Sequence, residues 1–156
     1  MANTMEKAFS KDFKETVNPV TKQTEMISYV DDVCNLFQSN RDYLTAQLKQ
    51  MEVPFKPVHC EGGYFLISDI SECRHLIPER YLTTHDYQLP EHGPKTGSYP
   101  LFTPDGKIPL DLAFCRWMAC EKGVVTMPMS FFYKPGSENM NDNYIRMAIC
   151  KEKPGI

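Results

Sequence analysis

The stretch N-D-N-Y-I-R-M-A-I-C-K, residues 141–151, places one arginine inside a run that otherwise favours a buried β-strand. Side chains alternate between the two faces of a strand, so Ile145, Met147 and Ile149 share one face and Arg146 lies on the other. The apolar face is the expected core face. The pattern leaves two interpretations of Arg146 open. It is either an ordinary solvent-exposed strand residue or a clamp whose planar guanidinium pairs both oxygens of a ligand carboxylate.

Two further segments each allow a structural and a functional interpretation. The segments F-K-P-V-H-C and Y-F-L-I-S-D-I, on either side of residues 61–63, predict an antiparallel hairpin. Its two glycines either simply turn the chain or let a ligand approach the backbone beside Tyr64 and Phe65. The run M-S-F-F-Y, residues 129–133, either packs locally or lines a pocket.

The remaining patterns predict an α/β domain with helices packed on a small sheet in two layers. Apolar residues at helical spacing predict a long helix from about Thr24 to Met51, with Glu25 in its first turn. A second helix is predicted to start near Pro109 and to stop at Gly123. V-V-T-M-P, residues 124–128, is predicted to be a strand that ends at its proline, with a loop after it.

Composition and charge exclude several classes of protein. The chain has 156 residues, enough for one domain, and a formal net charge of −3. That charge argues against a surface dedicated to nucleic acid or acidic membranes. No apolar run approaches the roughly 20 residues that span a bilayer. The N-terminus lacks a signal-peptide core and carries acidic residues, which predicts a cytoplasmic protein; a mitochondrial protein remains open if a further segment precedes Met1.

Side chains that commonly carry chemistry form no recognisable constellation elsewhere. The six cysteines contain no C-x-x-C pair, the four histidines do not complete a zinc site, and the thiols are expected to be reduced and mostly buried. Gly93 to Gly97 lack the spacing of a phosphate-binding loop. Ser68 and Ser130 lack the G-x-S-x-G setting of a nucleophile. Asp31 and Asp32 are expected on the solvated face of the long helix.

Taken in order, four segments resemble the C-terminal part of fold-type I pyridoxal-phosphate aminotransferases. Within that family they are most similar to the kynurenine aminotransferase and cysteine-conjugate β-lyase group. The segments are N-R-D-Y-L-T-A-Q-L-K-Q-M-E-V-P-F-K-P, G-G-Y-F-L-I-S-D-I, F-C-R-W-M-A-C-E-K-G-V-V-T-M-P-M-S-F-F-Y and N-Y-I-R-M-A-I-C-K. The matching positions include Asp69, Phe114, Trp117, Gly123, Val124, Pro128, Ser130 and Phe132.

The resemblance implies a domain organisation and one site residue. Residues 1–20 would be an N-terminal segment, and residues 21–156 would form the two-layer small domain of the aminotransferase fold. A Pro/Gly-rich insertion would occupy about 83–109. Arg146 would be the arginine that binds the α-carboxylate of an amino-acid or keto-acid substrate, whereas no catalytic residue is assigned.

The resemblance also implies pyridoxal phosphate, but no lysine lies in a Schiff-base motif such as S-x-x-K. The chain alone is therefore predicted to hold no cofactor and to be non-catalytic. Two functions remain open. It is a C-terminal aminotransferase domain that works with a missing large domain or a separate subunit, or it is a non-catalytic structural or interaction subunit of a larger assembly. Both imply a partner. In the family that the chain resembles, the corresponding long helix packs between the large and small domains, so alone it would expose apolar surface.

Overall fold

A computed structural model describes residues 13–17, 20–83, 107–134 and 137–151 of the chain. Most of the predicted N-terminal segment and most of the predicted Pro/Gly-rich insertion lie outside the described residues. The described part is α/β, with helices packed on a small antiparallel sheet, as the sequence predicts.

The described residues contain six strands, which form one two-stranded and one four-stranded sheet. In chain order they are β1 Phe13–Val17, β2 Thr24–Ser28, β3 Lys56–Pro57, β4 Phe65–Asp69, β5 Met127–Pro128 and β6 Tyr144–Ala148. The larger sheet has the order β3-β4-β6-β5, and all of its neighbours are antiparallel. Strand β6 is therefore an inner strand with a partner on each side.

The predicted hairpin is confirmed, although its first strand is short. β3 pairs with β4 over two residues, with Lys56 opposite Asp69. The connection contains Gly63 at φ 96°, a backbone conformation that glycine adopts without steric cost. β4 then pairs with β6 over five residues, from Phe65 opposite Ala148 to Asp69 opposite Tyr144.

The two faces of β6 divide as the alternation predicts. Ile145 is fully buried and lies in the layer that also contains the buried side chains of Leu66 and Ser68. Arg146 lies on the opposite face and is only partly buried. The apolar core beside Ile145 is built mainly by the segments 70–82 and 108–115; its buried members are Ile70, Cys73, Ile77, Tyr81, Ile108, Leu110, Leu112, Ala113, Phe114, Cys115 and Ile145.

The long helix α1 spans Tyr29–Gln50, so the prediction that it begins near Thr24 is wrong. Residues Thr24–Ser28 instead form β2, which pairs with β1 over five residues. The helix begins where Ser28 caps it, because the Ser28 Oγ accepts a hydrogen bond from the Asp31 N–H at 3.1 Å. Asp31 and Asp32 therefore lie in the first turn, in place of the expected Glu25.

The polar residue Asn40 ties α1 to the end of β6. Asn40 is fully buried, and its Nδ2 donates to the Ile149 carbonyl at 2.9 Å and to the Lys151 carbonyl at 2.6 Å. The apolar stripe of α1 is buried only near its C-terminal end, at Leu48. Toward the N-terminal end the stripe faces solvent, since Val30 is 49% exposed.

Two shorter α-helices and their flanking turns complete the second layer. α2 spans Glu79–Leu82 after a 3-10 helix at Ser71–Leu76, and α3 spans Leu110–Trp117. Pro109 lies immediately before α3. A π-helix at Met118–Lys122 continues α3, and Gly123 ends this helical segment at φ 69°, so both predicted boundaries of the segment are confirmed.

Three local predictions need correction. Only Met127–Pro128 of the segment 124–128 forms a strand, and the loop predicted after it begins with a 3-10 helix at Met129–Phe132. The six thiols are free, but only Cys73 and Cys115 are buried. The others lie on α1, in the loop before Glu61, in the helical turn that follows α3 or beyond the end of β6, where residue type alone does not determine burial.

We expect Asn40→Ala to lower the free energy of unfolding by about 1–3 kcal/mol, because two carbonyls would lose a buried donor. Chemical denaturation measures this loss. Asn35→Ala is the matched control, since Asn35 is exposed on the same helix. Equal stability losses in the two variants would contradict an anchoring role for Asn40.

Candidate carboxylate-binding site

The guanidinium of Arg146 lies between two aromatic rings. Its Cζ is 4.0 Å from the centroid of Phe65 and 5.0 Å from the centroid of Phe132. A guanidinium at these distances is attracted to the negative face of each ring. The rings therefore restrict the orientation of the planar fork without occupying all of its N–H donors.

The sheet brings these residues together from three separate segments. Ile67 of β4 is opposite Arg146, so Phe65, two residues earlier, points to the same face of the sheet. Phe132 comes from the 3-10 helix that directly follows β5. The predicted G-G-Y-F and M-S-F-F-Y segments thus meet at Arg146. Tyr64 does not join them, because its ring packs against the ring of Phe37 in α1, with 5.3 Å between the two ring centroids.

Met127 is a third neighbour of Arg146, and the sequence reasoning missed it. In the β5–β6 register Met127 is opposite Arg146, and the arginine Nη2 donates to the Met127 Sδ at 2.8 Å. Only the strand pairing reveals this contact, since the two residues are 19 positions apart. Among the described residues no carboxylate pairs with Arg146.

An apolar hollow of about 380 Å³ lies on the same face of the sheet, and Phe132 both lines it and contacts the guanidinium. Ile67, which is opposite Arg146, and Tyr144, which is two residues before it, both line the hollow. Phe132 and Tyr133 form another part of its wall. The arrangement places a charged fork and an apolar cavity on one sheet face, joined through Phe132, which suits a small carboxylate with an apolar portion.

A buried carboxylate is hydrogen-bonded to the segment that carries Phe132. Asp111, in the first turn of α3, is fully buried. Its Oδ1 accepts from the Leu112 N–H at 2.7 Å, and its Oδ2 accepts from the Ser130 N–H at 2.6 Å. Burial raises the pKa of Asp111 to about 6, against the opposing effect of these hydrogen bonds. The sequence reasoning did not single out this residue for the site.

The described residues do not fit the cofactor that the resemblance implies. A Schiff base requires a lysine directed into a pocket, whereas the lysines whose side chains are described are all exposed. None of them lines the hollow beside Arg146. In the same part of the chain there is no group of three His, Cys, Asp or Glu residues arranged to hold a metal ion. It also contains no helix long and apolar enough to cross a membrane.

Comparison with known proteins agrees with the resemblance seen in the sequence. The chain is 30% identical to human kynurenine–oxoglutarate transaminase 1 over 128 residues, which is 81% of this chain and 24% of that protein. It is 26% identical to the kynurenine–oxoglutarate transaminase of Dictyostelium discoideum over 139 residues, which is 89% of this chain and 28% of the relative. No protein-family model matches the chain.

The fold matches a solved structure from the same group. The crystal structure of Bna3p from Saccharomyces cerevisiae aligns with a TM-score of 0.50 and 23% identity, over 80% of this chain and 24% of Bna3p. The resemblance to the C-terminal region of pyridoxal-phosphate aminotransferases is therefore confirmed. The chain spans about a quarter of the length of the curated relatives it matches.

Proposed function

We propose that this chain provides the α-carboxylate-binding part of an aminotransferase site, with Arg146 as the residue that pairs with the carboxylate. The relatives are named for kynurenine and oxoglutarate, an α-amino acid and an α-keto acid. Both molecules carry the carboxylate that a guanidinium fork binds through two parallel hydrogen bonds. We propose the same class of ligand, an amino acid or keto acid, for Arg146.

The placement of the Arg146 guanidinium is the observation that carries this proposal. It lies between the faces of Phe65 and Phe132, on the sheet face opposite the core. An arginine that only stabilised the fold at the centre of a strand would be expected to pair with a neighbouring carboxylate. None of the described residues places a carboxylate against Arg146. The apolar hollow on the same sheet face, which Phe132 also lines, gives room for the rest of a small ligand.

The chemistry of amino-group transfer then belongs to another part of the enzyme. Pyridoxal phosphate supplies the electron sink for such reactions once a lysine binds it. We propose that this lysine lies outside these 156 residues, in a large domain or a separate subunit, and that this chain is not catalytic by itself. The exposure of the described lysines supports this division. Cytoplasmic residence stays a prediction from the N-terminal sequence.

A second candidate function is a non-catalytic interaction subunit, and the exposed face of α1 favours it. A groove of about 520 Å³ lies between α1 and the turn at Gly62 and Gly63. The exposed side chains of Tyr29, Val30 and Tyr64 line this groove. Apolar surface of this kind marks a contact with another protein surface. Both candidate functions therefore include a protein partner.

Arg146→Ala tests the first function. We expect binding of 2-oxoglutarate to weaken about ten- to hundredfold, the range of one charge-assisted pair. Arg146→Lys should restore only part of the affinity, because an ammonium lacks the bidentate fork. NMR titration of the purified chain measures both dissociation constants. Arg74→Lys is the control, since Arg74 is an exposed arginine outside the site. Unchanged affinity in Arg146→Ala would refute the assignment.

The absence of a cofactor lysine is tested by chemical trapping. Pyridoxal phosphate is added to the purified chain, borohydride reduces any Schiff base, and peptide mass spectrometry locates the label. We expect sparse labelling spread over several lysines, because exposed lysines do not hold the cofactor in place. Stoichiometric labelling at one lysine would show that the chain binds the cofactor by itself.

Val30→Glu tests whether the exposed groove drives association. We expect the purified wild-type chain to self-associate as its concentration rises, and the variant to do so less, because a charge interrupts the apolar surface. Sedimentation velocity over a concentration series measures this. Val125→Glu is the matched control, since Val125 is 85% exposed and lies away from the groove. A monodisperse, stable wild-type monomer at all concentrations would contradict the prediction.

A further inference from the structure

Phe65, Met127 and Phe132 contact the Arg146 guanidinium within the described part of the chain, and two of the three come from one short segment. Met127 belongs to β5, and Phe132 ends the 3-10 helix that follows it. This segment is held to the core by the Ser130 N–H, which donates to the Asp111 carboxylate. The segment that contributes two contacts to Arg146 is thus hydrogen-bonded to a residue of a different element, α3.

The Asp111 carboxylate bridges two elements that are otherwise separate in the chain. One oxygen accepts a backbone N–H within α3, and the other accepts the N–H of Ser130, 19 residues later. A carboxylate has one acceptor oxygen for each of these two N–H groups, whereas an asparagine amide has one acceptor oxygen and one donor nitrogen. The position therefore requires an ionised carboxylate if both bonds are to form at full strength.

A second aspartate fixes the position of Asp111 itself. The Asp142 Oδ2 accepts from the Leu110 N–H at 2.7 Å, and the Asp142 carbonyl accepts from the Asp111 N–H at 3.0 Å. The adjacent Asn143 carbonyl accepts from the Ile70 N–H at the end of β4 at 2.8 Å. A continuous set of hydrogen bonds thus runs from the sheet, through the start of α3, to the segment that carries Phe132.

We propose that Asp111 is a positioning residue for the carboxylate site, which holds Phe132 against Arg146 through the Ser130 N–H and so sets the orientation of the guanidinium fork. This inference rests on the proposed function for its effect on ligand binding. The hydrogen bonds themselves do not depend on that function.

Titration of Asp111 provides a way to test the inference. Burial raises its pKa to about 6 from an ordinary value of 3.8. The ionisable groups that face it are Asp142 and Cys115, and burial raises the Cys115 pKa to about 12, so that thiol stays protonated near pH 6. The 3-10 helix that carries Ser130 contains no ionisable side chain.

Titration of Asp111 changes the stability of the fold and the strength of the hydrogen bond from Ser130 in opposite directions. Because the folded-state pKa is raised, the stability due to Asp111 is fully present at pH values under about 4 and is lost as the pH rises through about 6. The hydrogen bond from the Ser130 N–H to Asp111 strengthens as the pH rises, since the protonated carboxyl is the weaker acceptor. The contact between Phe132 and Arg146 should therefore become more ordered as the pH rises through about 6, while stability falls.

The first experiment follows the side-chain Nε–H signal of Arg146 by NMR from pH 4.5 to 7.5, without ligand. Ring currents from Phe132 make this signal sensitive to their separation. We expect one step near pH 6 that is absent in Asp111→Asn and retained in Glu138→Gln, which neutralises an exposed carboxylate. A purely structural role would change stability with pH but leave the Arg146 signal without this step, and that result would overturn the inference.

Phe132→Leu keeps the inference testable if Asp111→Asn does not fold. Phe132 is 56% exposed, so its replacement leaves the core intact. We expect this variant to lose the step in the Arg146 signal, because the ring that reports on Asp111 is gone. A step of unchanged size in Phe132→Leu would contradict the proposed route through Phe132.

The second experiment measures 2-oxoglutarate binding at pH 7.5 in the wild type and both variants. We expect Asp111→Asn and Phe132→Leu to weaken binding about threefold to tenfold each, the range of one cation–π contact. Wild-type affinity in a folded Asp111→Asn variant would overturn the positioning role. If Arg146→Ala binds as the wild type does while the pH step is present, the proposed function fails and the contact between Asp111 and the Phe132 segment stands.

Discussion

Strand β6 pairs with β4 over five residues, and this register is the constraint on which the core and the site both depend. It places Leu66 and Ile145 in the core while Phe65 and Arg146 share the opposite face. Side chains along a strand alternate with a period of two. A shift of β6 by one residue against β4 would therefore move the core side chains of β6 to the site face and Arg146 to the core face. The core and the site are therefore two consequences of one set of backbone hydrogen bonds.

The surroundings of Arg146 explain why an arginine suits this position. The delocalised guanidinium is weakly hydrated and stacks on aromatic faces, whereas the compact ammonium of lysine is strongly hydrated. The rings of Phe65 and Phe132 accept the guanidinium at little desolvation cost and limit its rotation. Because the Phe132 segment is held by the buried Asp111, the order of the site is linked to the packing of α3 on the sheet.

Elements with a strong local signal were predicted well, and elements decided by partners were not. The alternation in β6, Pro109 before α3 and Gly123 after the π-helix that continues α3 are local features, and the structure agrees with each. The start of α1 was misplaced because helical periodicity continues into Thr24–Ser28, where pairing with β1 overrides it. For both aromatic segments the sequence leaves local structure and pocket lining open, and nothing local indicates that Phe65, and not Tyr64, reaches Arg146.

The sequence by itself determined the α/β class, the core face of β6 and the similarity to aminotransferases. Hydrophobic periodicity, turn residues and the order of the motifs are all properties of residues that are close together along the chain. Only the tertiary structure decided what surrounds Arg146. Phe65, Met127 and Phe132 lie far from it in sequence. Strand register brings Phe65 and Met127 to it, and the 3-10 helix after β5 brings Phe132. The role of Asp111 is likewise decided by the tertiary structure, since its second hydrogen bond forms only when folding brings the Ser130 N–H to the carboxylate.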